Sequence, residues 1–390
     1  MSVCHALHWK TEMPLEMGTN PKLFVLPLRL KAGDWVEVKC QAEILATLDE
    51  NGCLDCLPFM PEMLKYCGSR QKVYKRAHKT CDTINYSGGR RMPGGAVHLE
   101  GVRCDGQAHG GCQAECLIFW NEAWLKRASG IANACDCERA RLSCSGPPES
   151  KGSGRVDDGV IRSCRRDQGV GDEPLYVCQA TEMLKATTPL PWWDLRQFWE
   201  DWRSGNVSLT CMLRGFAFAG YTAGLMRLPW LGKWFKRLYN RTSRLLGRPR
   251  HPRTSGRIAA GAPTPSRQLN LQAKDVVRVK DFEEILDTID SNYRNRGLVW
   301  DAEMAPYCGG VYTVRKRIER IIDEKTGKML KFKSDAVVLE GVICQAKYSD
   351  CRHFCPRAVY PYWREIWLER VPETNSAAGE PGPQGDQNGS

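Results

Sequence analysis

Gly33-Asp-Trp-Val-Glu-Val-Lys39, followed by Glu43-Ile-Leu-Ala-Thr-Leu-Asp49, recurs far downstream as Lys274-Asp-Val-Val-Arg-Val-Lys280 and Glu284-Ile-Leu-Asp-Thr-Ile-Asp290. Outward from these two stretches, further blocks return in the same order. Pro61-Glu-Met63 with Tyr66-Cys-Gly68 becomes Ala302-Glu-Met304 with Tyr307-Cys-Gly309. Leu99-Glu-Gly-Val-Arg-Cys104 becomes Leu339-Glu-Gly-Val-Ile-Cys344, and Trp-x-Glu-x-Trp-Leu-x-Arg closes both series at Trp120–Arg127 and Trp363–Arg370. Chance does not keep matching blocks in register over such lengths. The sequence predicts two copies of one unit, and a repeat of this kind decides the architecture before any local reading does.

Within a unit the pattern is α+β. Asp34–Lys39 alternates apolar and polar residues with β-branched members, which predicts a strand. Gln41–Leu48 places Ile44, Leu45 and Leu48 at helical spacing. Val73–Lys79 and Ala96–Cys104 read as strands on either side of a turn region at Gly88 and Gly89. In the second unit Val311–Asp323 and Met329–Ile343 flank Glu324-Lys-Thr-Gly327, a hairpin signal. The closing Trp-x-Glu-x-Trp-Leu segment reads as a short amphipathic helix, with Glu122 and Arg127, like Glu365 and Arg370, pairing around it. The expected unit is a small, strongly curved, barrel-like antiparallel sheet with a helix inserted early and another at its end.

The 390 residues divide accordingly. We expect an extension at 1–32, the first unit at 33–128, a cysteine-containing flexible linker at 129–174 and a partly helical connector at 175–246. A second linker at 247–272, the second unit at 273–371 and a disordered Gly/Pro-rich tail at 372–390 complete the chain. Lys and Arg total 56 against 45 Asp and Glu, a net charge of +11. The units hold little of it: Gly33–Ala128 has 12 basic and 12 acidic residues, and Lys274–Val371 has 18 and 16. Trp202–Lys274 has 14 basic residues and no acidic one, so the positive charge belongs to the connector.

Nineteen cysteines exceed ordinary usage. Met1–Lys31 carries no basic region leading into a continuous apolar stretch and a cleavage site. The odd count therefore predicts reduced thiols in a cytoplasmic protein rather than a disulfide framework. The repeat acts as a filter on them. Cys67, Cys104, Cys112 and Cys116 have counterparts in Cys308, Cys344, Cys351 and Cys355, spaced C-x36-C-x7-C-x3-C and C-x35-C-x6-C-x3-C. Four thiolates from separated places in the chain are what a tetrahedral Zn²⁺ site requires. Two structural zinc ions are expected, which would add binding free energy to two small cores. Iron–sulfur clusters, also held by four thiolates, are the alternative, although C-x3-C is not a ferredoxin spacing. Plain packing is the third reading, since free cysteine behaves as a small hydrophobe. Histidine fails the filter: His109 corresponds to Tyr348, and His353 to Ala114. Cys135, Cys137, Cys144, Cys164 and Cys178 form a further candidate group across the linker.

The connector offers a second kind of site. Leu209–Leu231 is largely apolar, but Arg214 and Arg227 bracket a charge-free run too short to span a bilayer, which needs about 20 residues. Beyond it Trp230, Lys233, Trp234, Lys236, Arg237 and Arg241 interleave aromatic and basic side chains at helical spacing. Such a helix suits an anionic membrane surface at the inner face of the membrane. It equally suits docking on one of the units or, less well, binding nucleic acid through stacking and phosphate contacts. No Walker loop, G-x-G-x-x-G, G-x-S-x-G or H-E-x-x-H motif occurs. No small-molecule substrate is indicated, and the expected role is that of an accessory protein presenting surfaces to a protein partner. Iron–sulfur or thiol-dependent redox or biosynthetic enzymology is the alternative.

The Glu-Met, Tyr-Cys-Gly and Leu-Glu-Gly-Val-x-Cys blocks and the closing Trp-Leu-x-Arg resemble an uncharacterised bacterial family of two-repeat, cysteine-rich proteins. The resemblance covers both units and Leu175–Leu209, and it implies no activity.

Overall fold

The computed structural model describes residues 28–128, 160, 163–166, 173–227, 234, 237, 240–241, 251–348 and 352–371. It is a mixed α/β structure built on antiparallel sheets, with few helices.

In the first half the alternating stretch forms the strand Trp35–Val38, which turns Val36 and Val38 inward, both fully buried. It pairs with Arg70–Arg76 on one side and Leu125–Arg127 on the other. The complete five-stranded order is Leu117–Asn121, Ala96–Arg103, Arg70–Arg76, Trp35–Val38, Leu125–Arg127. The two edge strands are consecutive in the chain, separated only by Glu122–Trp124. Four strand spacings in a flat sheet amount to about 19 Å. A three-residue 3₁₀ turn advances only about 6 Å. The sheet must therefore roll until its edges nearly meet, which makes it half a barrel.

The second half has the same order in Trp363–Arg364, Ala336–Leu339, Val311–Arg317, Val276–Val279 and Leu368–Arg370. Even an irregularity recurs: the register shifts between Val73 and Lys75 and between Val314 and Lys316. The early helices form as read, but shorter, at Gln41–Leu45 and Phe282–Leu286. The expected closing helix is only a 3₁₀ turn, Glu122–Trp124 and Glu365–Trp367, because strands claim the residues on both sides.

That turn organises each core. Trp120 and Trp124 are fully buried around Phe59, and Trp363 and Trp367 around Trp300. Trp124 Nε1 donates to Thr47 Oγ1 (3.1 Å), and Trp367 Nε1 to Thr288 Oγ1 (3.0 Å). Truncating one such buried indole costs about 3–5 kcal/mol. The buried Glu122 accepts from the backbone of Arg29 and Leu30 (3.0 Å each) and from Arg76 (2.6 Å). Glu365 accepts from Asn270, Leu271 and Arg317, each at 3.0 Å. The partners are thus Arg76 and Arg317, not the expected Arg127 and Arg370. Those two are exposed ends of the edge strands and pair with Asp34 (3.1 Å) and Asp275 (2.9 Å).

The connector is wrapped onto both halves. Thr188–Leu190 adds a strand to Gly89–Arg91, which pairs with Lys79–Cys81. Gln179 clips the connector to the edge strand by accepting from Phe119 N and donating to Phe119 O, both at 2.8 Å. The helix Leu209–Arg227 packs Met212 and Phe216 against Phe198 and Phe354. A Cβ at Gly215 would come within 2.4 Å of the Phe354 ring, so glycine permits this contact. Residues 251–266, which composition assigns to a linker, lie on the second half through Arg257–Glu283 (2.5 Å) and Asn295 Nδ2 donating to Pro265 O (2.9 Å). Among the described residues no helix is long and apolar enough to cross a membrane.

Candidate metal centre

The strand Ala96–Arg103 delivers Cys104 to a turn that only glycines can make. Gly106 and Gly110 adopt φ of +72° and +63°. A side chain on either would come within 2.0 Å of Cys112 O or 2.2 Å of the Tyr176 hydroxyl. Between them a single 3₁₀ turn, Gln107–His109, turns His109 inward until it is 1% exposed. Glu62, on the short helix Pro61–Leu64, meets it there. Glu62 Oε1 lies 2.7 Å from His109 Nδ1 and accepts from Ala108 N at 3.2 Å. Glu62 Oε2 is buried without a hydrogen-bond partner.

Ligand atoms of Glu62, Cys104 and His109 all fall within 4.8 Å of one another, the one such group among the described residues. The connector closes its far side. Val177 O is 3.0 Å from His109 Nε2, and the buried Cys164 thiol also hydrogen-bonds the ring. Cys178 follows Val177, and its sulfur accepts from the Ala180 and Thr181 N–H groups. Peptide N–H groups aimed at a sulfur stabilise its anion. Cys104 receives the same from Gly106.

Charge is finely set here. Burial pushes the imidazole down, but hydrogen bonds to Cys104, Cys164 and Glu62 outweigh it and hold His109 above its ordinary value. Burial pushes Cys104 up against the opposing effect of His109, Cys116 up to about 12 and Cys178 up to about 11. A cavity at this point is lined by Cys104, His109, Cys112, Cys116, Cys178 and Arg357. The donor set of thiols, imidazole and carboxylate is one that zinc accepts.

The residues expected from sequence are distributed unevenly. Cys104, Cys112 and Cys116 share that cavity, and Cys112 Sγ accepts from Ile322 N of the second half at 3.4 Å. Cys67 is elsewhere, half-buried against the first core on the turn after Leu64. Its neighbour Gly68 has φ +71° with open space around it, so it serves the turn rather than an approach to metal. Cys308 is likewise apart, held up to about 12 by burial with Asp281 as its charged neighbour. Cys344 and Cys355 lie together, with Cys81 of the first half. Cys351, Cys135, Cys137 and Cys144 fall outside the described residues.

Of the connector residues, Arg214, Trp234, Arg237 and Arg241 are exposed. Trp230, Lys233, Lys236 and the Arg227 side chain fall outside the described residues. Sequence reasoning passed over His109 because the repeat filter discards any residue present in one copy only. The available signal was Glu62: its counterpart Glu303 meets the Tyr348 backbone N–H where Glu62 meets an imidazole.

Set against protein-family models, curated proteins and solved structures, the chain matches none.

Proposed function

We propose that this chain is a zinc-binding accessory protein, built from two units duplicated from one ancestor. In the first half Cys104 and His109, with Glu62 against the imidazole, hold one ion. The observation that carries this reading is the convergence of Cys104, His109 and Glu62 within 4.8 Å in a buried site. Glu62 Oε1 engages Nδ1, the carboxylate–histidine arrangement that orients a zinc ligand, and Nε2 meets Val177 O at 3.0 Å, a carbonyl that an ion on Nε2 would displace. An imidazole and a carboxylate among the donors favour zinc over an iron–sulfur cluster, which takes thiolates. An ion there would sit where Val177 of the connector meets the first half, so its role is structural.

The contact surface of such a protein is the connector. Trp192, Trp193, Trp199 and Trp202 are 59, 66, 58 and 45% exposed on and beside the helix Arg196–Arg203. Clustered exposed indoles suit a protein partner.

Elemental analysis of protein purified without air tests the metal claim. Zinc is expected in the wild type, with loss of about one equivalent in both Cys104→Ser and His109→Ala and none in Cys67→Ser. Metal-free wild type, or brown iron-containing protein, refutes it.

A further inference from the structure

The second half carries a cavity of about 300 Å³ beside the paired ends of Ala336–Leu339 and Trp363–Arg364. Four cations line it: Arg267, Arg296, Lys333 and Arg364. The two carboxylates in its wall are already engaged. Asp335 pairs with Arg317, and Glu365 takes Arg317 together with the Asn270 and Leu271 N–H groups. Arg267, Arg296 and Lys333 are exposed and have no ion-pair partner among the described residues.

Arg364 carries the unbalanced charge inward. It is 6% exposed, yet the acceptors it meets are neutral carbonyls: Ser334 O (2.7 Å), Arg296 O (3.0 Å), Asp335 O (3.3 Å) and Asn295 O (3.4 Å). A buried charge is ordinarily paired with an opposite one. Burial, and then the neighbouring Arg296 guanidinium, push Arg364 down to about 10, as expected where two like charges share a corner with no anion between them. Arg296 Nε donates to Ser334 Oγ at 3.0 Å, and its terminal nitrogens have no hydrogen-bond partner among the described residues.

The first half has the same corner with the opposite sign. Asn121 faces Ala96 in register as Arg364 faces Ala336. Asp55 follows Leu54 in the tight turn, at φ +52°, where Arg296 follows Asn295 at φ +45°. The Asp55 carboxylate stands 2.9 Å from where a Cβ on Gly94 would lie, with Asn121 Nδ2 3.8 Å from the same point. Carboxylate and amide there become two guanidiniums in the second half. Aspartate tolerates the left-handed region and arginine does so rarely, so the turn alone does not call for Arg296.

Asn295, also in the lining, is fully buried. Its Nδ2 donates to Pro265 O and Thr288 O, and its Oδ1 is buried with no partner. That oxygen can accept from a hydroxyl, and the cavity has the volume of a small-molecule site rather than of a single oxyanion.

We propose that this cavity binds a small phosphorylated, hydroxyl-bearing molecule, with its phosphate between Arg296, Lys333 and Arg364. Arg296 supplies free donors in the fork that fits phosphate oxygens, Lys333 a point charge, and Arg364 positive charge from behind. The site shares no residue with the metal centre, so either can fail alone.

The test is titration calorimetry on the full chain with ribose 5-phosphate, inorganic phosphate and ribose. Ribose 5-phosphate should bind saturably and more tightly than inorganic phosphate, and ribose should not bind. Arg296→Asp, which copies the first half's turn residue, should weaken ribose 5-phosphate at least about 10-fold. Lys333→Ala, at an exposed position, should weaken it too and keeps the test open should Arg296→Asp not fold. Lys325→Asp makes the same change of net charge on an exposed turn outside the cavity and should leave binding unchanged. The inference is overturned if ribose 5-phosphate does not bind at millimolar concentration, or if inorganic phosphate binds as tightly. It is equally overturned if folded Arg296→Asp and Lys333→Ala bind as wild type, or if Lys325→Asp weakens binding as much as they do.

Discussion

Glu62→Gln removes one negative charge from beside His109 and changes little else in shape. The amide oxygen can still accept from Nδ1 at the 2.7 Å separation and from Ala108 N at 3.2 Å. Any effect therefore reports the charge rather than a cavity. A carboxylate behind a ligating imidazole raises its basicity and fixes its orientation, and losing such a partner costs about 10- to 100-fold in metal affinity. That is about 1.4–2.7 kcal/mol. The assay is competition for zinc against a chromophoric chelator, on the full chain, with far-UV dichroism to show that the fold persists. Glu303→Gln is the internal control, since that carboxylate meets the Tyr348 backbone rather than an imidazole. Glu62→Gln should weaken the site by the stated factor while Glu303→Gln leaves it unchanged. Unchanged affinity in Glu62→Gln would refute His109 as a ligand, however the thiols behave.

Other expectations concern the frame around the sites. Glu365→Ala leaves the buried Leu271 N–H without its acceptor and takes one of two carboxylate partners from Arg317, which keeps Asp335, so urea unfolding should show a loss of about 1–3 kcal/mol; a loss below about 0.5 kcal/mol would show that the latch is dispensable. His98 is fully buried, and burial pulls it from 6.5 down to about 3. It stays neutral in the folded chain but takes a proton when unfolded, so its contribution is complete above pH 6.5 and lost as pH falls toward 3. In His98→Gln the slope of unfolding free energy against pH should fall there by up to about 1.4 kcal/mol per unit, and an unaltered slope would contradict this. Gly106→Ala forces a side chain into a left-handed turn against Cys112 O, and should cost more than about 1 kcal/mol together with one bound ion. In flotation with anionic vesicles the full chain should stay behind at physiological salt; flotation abolished by Trp192→Ala and Trp193→Ala would make the indole surface a membrane contact instead.

The fold was legible where one residue pattern has one physical solution. Val36 and Val38 alternate with polar neighbours and can only line one face of a sheet, so the strand Trp35–Val38 could be read directly. The closing motif misled because Trp120, Glu122 and Trp124 have the i, i+2, i+4 spacing of an inward-facing strand as well as a helix-like composition. What decides between them is long-range: Glu122 must reach Arg29, Leu30 and Arg76, and nothing in eight residues of sequence specifies that.

The candidate sites expose the limit of reading by repeats. A repeat filter keeps what both copies share, and what they share is the rolled sheet with its Glu122 and Glu365 latches. Cys67 and Cys308 passed because Tyr-Cys-Gly is part of the turn that closes that sheet, with Gly68 and Gly309 at φ of +71° and +78°. A chain whose two halves share one strand order has a further problem that neither half solves alone, namely how each is joined to the rest. Cys81, Cys164 and Cys178 have no counterparts, and each lies where an element of one part crosses onto another: Cys81 beside Cys355, Cys164 and Cys178 beside His109. The unmatched cysteines are therefore the ones to weigh most heavily for assembly.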